Sequence, residues 1–257
     1  MNLFDLFTPQ KKTWLYRVNP AVKFVLFFLL FMVVFFNQNY LFTMNIMIMS
    51  GLLLFLFSGY RLRRLLLFSI PVVVSIFSTA FTMILFGKGE IIWWQWGIIK
   101  ISEESFYKGL LLGFKSASFG FLSLIFLLTS RPVMLFYALM QQLKLPAKFA
   151  YSFMAAIRLV PIIIDELQAR SNAFKIRGVT FSKGVKGVFE RMRLYMLPIF
   201  AQSIRRAQRL AIAMEAKRFQ IGADRTYYYP TRYQPIDAVF SLVLISFSVG
   251  AYVLTRV

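Results

Sequence analysis

RLRRLLLFSIPVVVSIFSTAFTMILF, residues 61–86, sets three arginines against a run of 22 residues, Leu65 to Phe86, that carries no charge. A helix rises about 1.5 Å per residue, so the run reaches about 33 Å, enough to cross a hydrocarbon layer about 30 Å thick. A soluble chain of 257 residues has no interior that hides such runs. Three more apolar stretches fill the N-terminal half: Ala21 to Phe36, which is short for a span, Tyr40 to Phe57, and Gly109 to Thr129. A fifth, Ala238 to Leu254, closes the chain. With 59% hydrophobic residues, 30 Phe and a mean hydropathy of +0.66, the composition is that of an all-α integral membrane protein with about five spans.

The net charge is +20. In a soluble protein that excess suggests nucleic acid. Here lipid phosphate and protein carboxylates account for it, and nucleic acid is not an expected partner. The positive-inside bias turns the same charge into a topology. Arg61, Arg63 and Arg64 separate the second and third stretches, whereas Asn37 to Tyr40 carries no charge. The Arg61 loop and the N-terminus, with Lys11, Lys12, Arg17 and Lys23, therefore read as cytoplasmic. No small-residue cleavage site follows the first apolar run, so it reads as a retained anchor rather than a signal peptide.

The connection from Gly87 to Lys108 then lies outside, where Lys88, Lys100 and Lys108 are balanced by Glu90, Glu103 and Glu104. Its EIIWWQWGIIKI, residues 90–101, alternates β-formers and predicts a short hairpin. Trp93, Trp94 and Trp96 suit anchorage at headgroup level. Residues 131–232 hold eighteen cations and five acids, a net +13, and read as a cytoplasmic block. The expected organisation is 1–130 with four transmembrane helices, 131–232 as the basic block, and 233–257 as a last transmembrane helix that ends outside.

Within the basic block one plan occurs twice. VPIIIDELQARSNAFKIRG, residues 160–178, and LPIFAQSIRRAQRLAIAMEAKRF, residues 197–219, each start on a Pro-Ile step, continue as helix formers and end on cations. Pro161 and Pro198 fit either a first helical turn or a kink from a preceding helix. Asp165 and Glu166 come early and Lys175 and Arg177 late, matching the helix dipole, with Gly178 placed to end the helix. In the second copy Glu215, Lys217 and Arg218 come late, and Gly222 lies just beyond. Ile204, Ala207, Ala211 and Met214 share one face, while Arg205 and Arg209 share another. Ala207 and Ala211 are small enough to admit a neighbouring helix, so the two copies are expected to cross and present their basic ends together.

These residues offer little to catalysis. Without Cys or His there is no thiol nucleophile, no zinc or haem ligation by those residues, and no near-neutral proton shuttle. FGKGE, residues 86–90, has a Gly-Lys pair without the phosphate-binding spacing. The pairs Asp165-Glu166 and Glu103-Glu104 form no metal motif, so neither catalytic nor metal-binding residues are expected. Met44, Met47 and Met49 read as packing or lipid contact. Lys115 is the ionisable residue well inside a span, and it reads as a cation reaching toward the outer interface. A secondary transporter and a polytopic membrane enzyme are the alternatives, and both lack supporting side chains.

The same stretches resemble the transmembrane T component of energy-coupling factor transporters. The resemblance is carried by YRVNPAVKFVLFF at 16–28, LPAKFAYSFMAAIRLVPIIIDELQ at 145–168 and YMLPIFAQSIRRAQRLAIAMEAKRF at 195–219. That family ends long cytoplasmic coupling helices in two short Ala-Arg-Gly-like signatures. The matching positions are Ile176-Arg177-Gly178 and Ala216-Lys217-Arg218. Ile176, Lys217 and Arg218 depart from the usual Ala, Arg and Gly, so either Lys217 or Arg218 carries the second contact. The resemblance implies a non-catalytic scaffold in a prokaryotic cell membrane, docked through these signatures on two cytoplasmic ABC-type ATPase subunits. It also implies a separate membrane subunit that binds the cargo, a vitamin or other micronutrient. ATP and magnesium would sit on the ATPases, with no cofactor on this chain.

Overall fold

The computed structural model describes residues 11, 13–87, 89–96, 99–220 and 226–255. The expected contributions of Lys12, Lys88, Gly222, Asp224 and Arg225, and the side chains of Trp96 and Lys100, lie outside the described residues. In chain order the elements are α1 (Trp14–Arg17), α2 (Pro20–Phe36), α3 (Tyr40–Phe57), α4 (Leu62–Phe86), β1 (Ile92–Trp96), β2 (Ile99–Ser102) and α5 (Glu103–Thr129). They continue with α6 (Pro132–Gln142), α7 (Ala147–Ile176), α8 (Val185–Ala216) and α9 (Pro235–Val253). The chain forms two bodies: residues up to 138 together with those from 231 onward, and residues 139–230.

Helix starts in the first body follow local chemistry. Asn19 accepts the Ala21 N–H at 3.0 Å ahead of Pro20 at the first helical position, and Asn39 accepts the Leu41 N–H at 2.9 Å. Ser102 and Ser105 form a reciprocal capping box that starts α5 at Glu103, six residues before the expected span at Gly109. Glu103 and Glu104 then occupy the first turn, where the helix dipole favours acids.

The α4–α5 packing rests on small residues. Gly109, Gly113, Ser116 and Gly120 recur every three or four residues on one face of α5. A side chain at Gly109 would meet Ile84, at Gly113 Ala80, and at Gly120 Val72. The two helices therefore run antiparallel with their backbones close, and Ser75 and Ser116 share a hydrogen bond of 3.0 Å between them. On another side of α5, Phe31 stacks on Phe119 at 3.8 Å between ring centroids and Phe27 meets Phe126 edge-on. Helix α9 closes the body: Phe240 is fully buried, edge-on to Trp14 and Phe27, and Asp237 accepts the N–H groups of Asn19 and Gln234.

Two lysines of this body mark the ends of α2. Lys23 is fully buried and donates to Thr129 at the end of α5. Lys115 donates at 2.9 Å to the carbonyl of Phe35, one of the last carbonyls of α2. The in-span lysine expected to reach for the interface thus satisfies a helix end. Between α3 and α4, Tyr60 donates to the Leu128 carbonyl at 3.3 Å. Burial, together with Tyr16, pushes the Tyr60 hydroxyl up to about 12, so it remains a donor at neutral pH.

The fold is the expected all-α membrane architecture, with the predicted hairpin formed by antiparallel β1 and β2. Among the described residues five helices are long and apolar enough to cross a membrane, but they are not the expected five. They are α3, α4, α5, α7 and α9. Helix α2 has 17 residues, about 26 Å, and falls just short. Helix α7, assigned from charge to the cytoplasmic block, qualifies because its 30 residues contain a long apolar window between sparse charges.

Candidate partner-docking site

Helices α7 and α8 make up most of the second body, and each is longer than its repeated motif. Pro161 and Pro198 lie well inside them rather than in a first turn, so the kink-from-a-preceding-helix alternative describes their position. A proline there has no N–H, which leaves the carbonyls of Ile157 and Leu194 without their usual helical donor.

Three contacts set the register between the two helices. Tyr151 early in α7 meets Phe219 beyond the end of α8, edge-on at 5.5 Å. Glu166 in the middle of α7 pairs with Arg206, and Gln202 donates to the same Glu166 Oε1 at 3.1 Å. Phe174 near the end of α7 meets Tyr195 early in α8, edge-on at 5.1 Å. Early residues of one helix meet late residues of the other, so the pair is antiparallel. The expectation that the basic ends lie together is corrected: they stand at opposite ends, separated by about 30 Å of α8 between Tyr195 and Ala216. Ala207 and Ala211, expected at the crossing, are exposed, and the polar trio of Glu166, Gln202 and Arg206 occupies it instead.

The two ends share one backbone design. Helix α7 stops with Arg177 as its cap at φ −78° and ψ 1°, and α8 stops with Lys217 at φ −87° and ψ 11°. After Arg177, Gly178 takes φ +64°, its N–H reaching Lys175 O at 3.2 Å while the Val179 N–H reaches Phe174 O at 3.1 Å. After Lys217, Arg218 takes φ +55°, with its N–H on Glu215 O at 2.8 Å and the Phe219 N–H on Met214 O at 2.9 Å. Both are Schellman closures. Arg177 therefore corresponds to Lys217, and Gly178 to Arg218.

The correspondence aligns the two helix ends residue by residue, and it reveals an outlier. No atom lies within 4 Å of where a Gly178 side chain would start, so glycine serves the left-handed backbone there rather than space. Arg218 holds the same conformation with a full side chain, at a cost of roughly 1–2 kcal/mol. Positive φ at a non-glycine residue such as Arg218 carries no reliable signal in the sequence.

The signature residues are open to a partner. Ile176, Arg177, Gly178, Ala216, Lys217 and Arg218 are all exposed, and Ile176 retains 86% of its surface. Among the described residues the three cations enter no ion pair. Each stands at a helix C-terminus, where unsatisfied carbonyls stabilise positive charge. Behind the first end, Phe174 also meets Phe181, whose ring carries the Arg191 guanidinium at 4.8 Å, and Ser182 bonds Glu190. These contacts brace the α7–α8 turn so that its cation is displayed on a fixed base.

Residues 11–228 match the family described as cobalt transport protein. The energy-coupling factor transporter transmembrane protein EcfT of Lacticaseibacillus paracasei is 30% identical over 237 residues, 88% of this chain and 89% of that protein. The protein of the same name from Limosilactobacillus fermentum is 28% identical, covering 98% of this chain and 96% of its own. That from Streptococcus equi subsp. equi is 27% identical, covering 90% and 88%. The matched region holds α1 through α8 and both helix ends, and the chain belongs to this family of energy-coupling factor transporter transmembrane proteins.

Proposed function

We propose that the chain couples two cytoplasmic ABC-type ATPase subunits to a membrane subunit that binds the cargo. The observation that carries this reading is the pair of like-built helix ends, each closing on an exposed cation, at opposite ends of one antiparallel helix pair. Two separated ends suit two ATPase subunits, one each. Ile176, Arg177 and Gly178 would enter one acidic groove, and Ala216, Lys217 and Arg218 the other. Movement of the ATPases on ATP binding and hydrolysis would then change the geometry between α7 and α8, whose Glu166–Arg206 crossing transmits it. ATP and magnesium belong to the partner subunits in this reading, and this chain is a non-catalytic scaffold. The charge pattern supports a prokaryotic cell-membrane orientation with the N-terminus and residues 131–232 in the cytoplasm.

The test is charge reversal at both ends. Arg177→Glu with Lys217→Glu and Arg218→Glu turns attraction into repulsion at a partly desolvated contact. The triple variant should reach the membrane at normal abundance, lose its ATPase subunits on purification and lose ATP-dependent uptake. Normal co-purification with normal uptake would overturn the docking role.

A further inference from the structure

Resting on that reading, we infer that the second docking end holds its ATPase through two cations of unlike kind, with the Arg218 guanidinium clasping a carboxylate and Lys217 supplying a point charge beside it. The backbone correspondence puts Lys217 in the seat that Arg177 fills at the first end, and Arg218 in the seat of Gly178. Lysine brings charge to that seat but no planar fork, so it cannot reproduce the bidentate grip of a guanidinium on a carboxylate. The second end regains a guanidinium one residue later, at a left-handed position that a glycine would occupy without strain. Strain of this kind persists where a contact uses it. Both side chains are exposed, and among the described residues neither forms an ion pair, so their charge is available to a partner.

The partner surface follows from this chemistry. The groove that receives Arg177 needs one carboxylate in a bidentate position. The groove that receives Lys217 and Arg218 needs a second carboxylate next to the first, because two adjacent cations brought into one desolvated pocket repel unless both are matched. The two ends therefore ask for grooves of unequal acidity.

The experiment uses the full transporter in detergent, with ATPase affinity measured at increasing salt and melting of the T chain as a folding control. Arg218→Gly removes the strain as well as the guanidinium, so melting should hold or rise while ATPase affinity falls about tenfold. Arg218→Lys keeps the charge and the strain but loses the fork, and should weaken binding to a similar degree. Lys217→Arg combined with Arg218→Gly rebuilds the arrangement of the first end and should recover much of the loss. Wild-type affinity in Arg218→Gly would sink the inference, and wild-type affinity in Arg218→Lys would sink its bidentate part. If Arg218→Gly is silent while the triple reversal releases the ATPases, this inference alone fails. If the triple reversal is silent too, the docking reading fails with it.

Discussion

The Nζ of Lys23 lies 3.0 Å from the carbonyl oxygen and 3.2 Å from the hydroxyl of Thr129, inside a body whose helices are also tied by aromatic rings, glycines and other polar contacts. The Thr129 hydroxyl in turn donates to the Ile125 carbonyl at 2.7 Å. One cation thereby joins the start of α2 to the end of α5 near the entry of α9.

Removing one partner of that contact should hurt more than removing both. Thr129→Val leaves a buried ammonium short of an acceptor and should destabilise the chain by about 1–3 kcal/mol. Lys23→Met combined with Thr129→Val replaces both groups by apolar ones and should melt closer to the wild type. Thermal melting followed by size-exclusion chromatography in detergent gives the order. A double variant less stable than Thr129→Val would refute the pairing.

At Gly120 a methyl group would lie 3.1 Å from Val72 Cβ and closer still to its γ carbons. Gly120→Ala should push α4 and α5 apart and cost about 1–3 kcal/mol. Val72→Ala clears that space, so the double variant should melt higher than Gly120→Ala alone. If the second change instead adds a further loss, the close approach is not what holds this face.

The Glu166–Arg206 pair is largely withdrawn from solvent, with side chains 18% and 22% exposed. Among the described residues Glu166 Oε2 and Arg206 Nη1 have no further partner. Arg206→Gln should therefore loosen the α7–α8 crossing, by about 1–3 kcal/mol, through the unpaired Glu166 it leaves behind. A charge swap, Glu166→Arg with Arg206→Glu, should restore part of it. Hydrogen exchange across α7 and α8 reads the effect locally, and equal exchange in all three proteins would remove the pair from the coupling path.

Sidedness is open to direct measurement because the chain has no Cys. A single cysteine at Lys183 should stay unlabelled by an impermeant maleimide on intact cells and label once the membrane is opened. One at Glu90 should label from outside. The reverse pattern would invert the topology.

Sequence alone determined the solvent this protein folds in, the hairpin and the left-handed stop after α7, because these are decided by residues adjacent along the chain. The uncharged run at 65–86 admits a bilayer and little else. Gly178 behind a helix former announces a left-handed stop, which the backbone adopts. The Trp-rich stretch alternates and pairs as a hairpin. Other properties depended on partners far away in sequence. Nothing near Lys23 foretells Thr129, and nothing near Lys115 foretells Phe35. Residues 160–178 and 197–219 read as two copies of one motif, and copies carry no direction relative to each other. Only the contacts of Tyr151, Glu166 and Phe174 made them antiparallel and drew their ends apart. The backbone register of the two helix ends was decided the same way: a Lys-Arg pair is ambiguous as text, but helix-closing hydrogen bonds place Lys217 opposite Arg177 and Arg218 opposite Gly178.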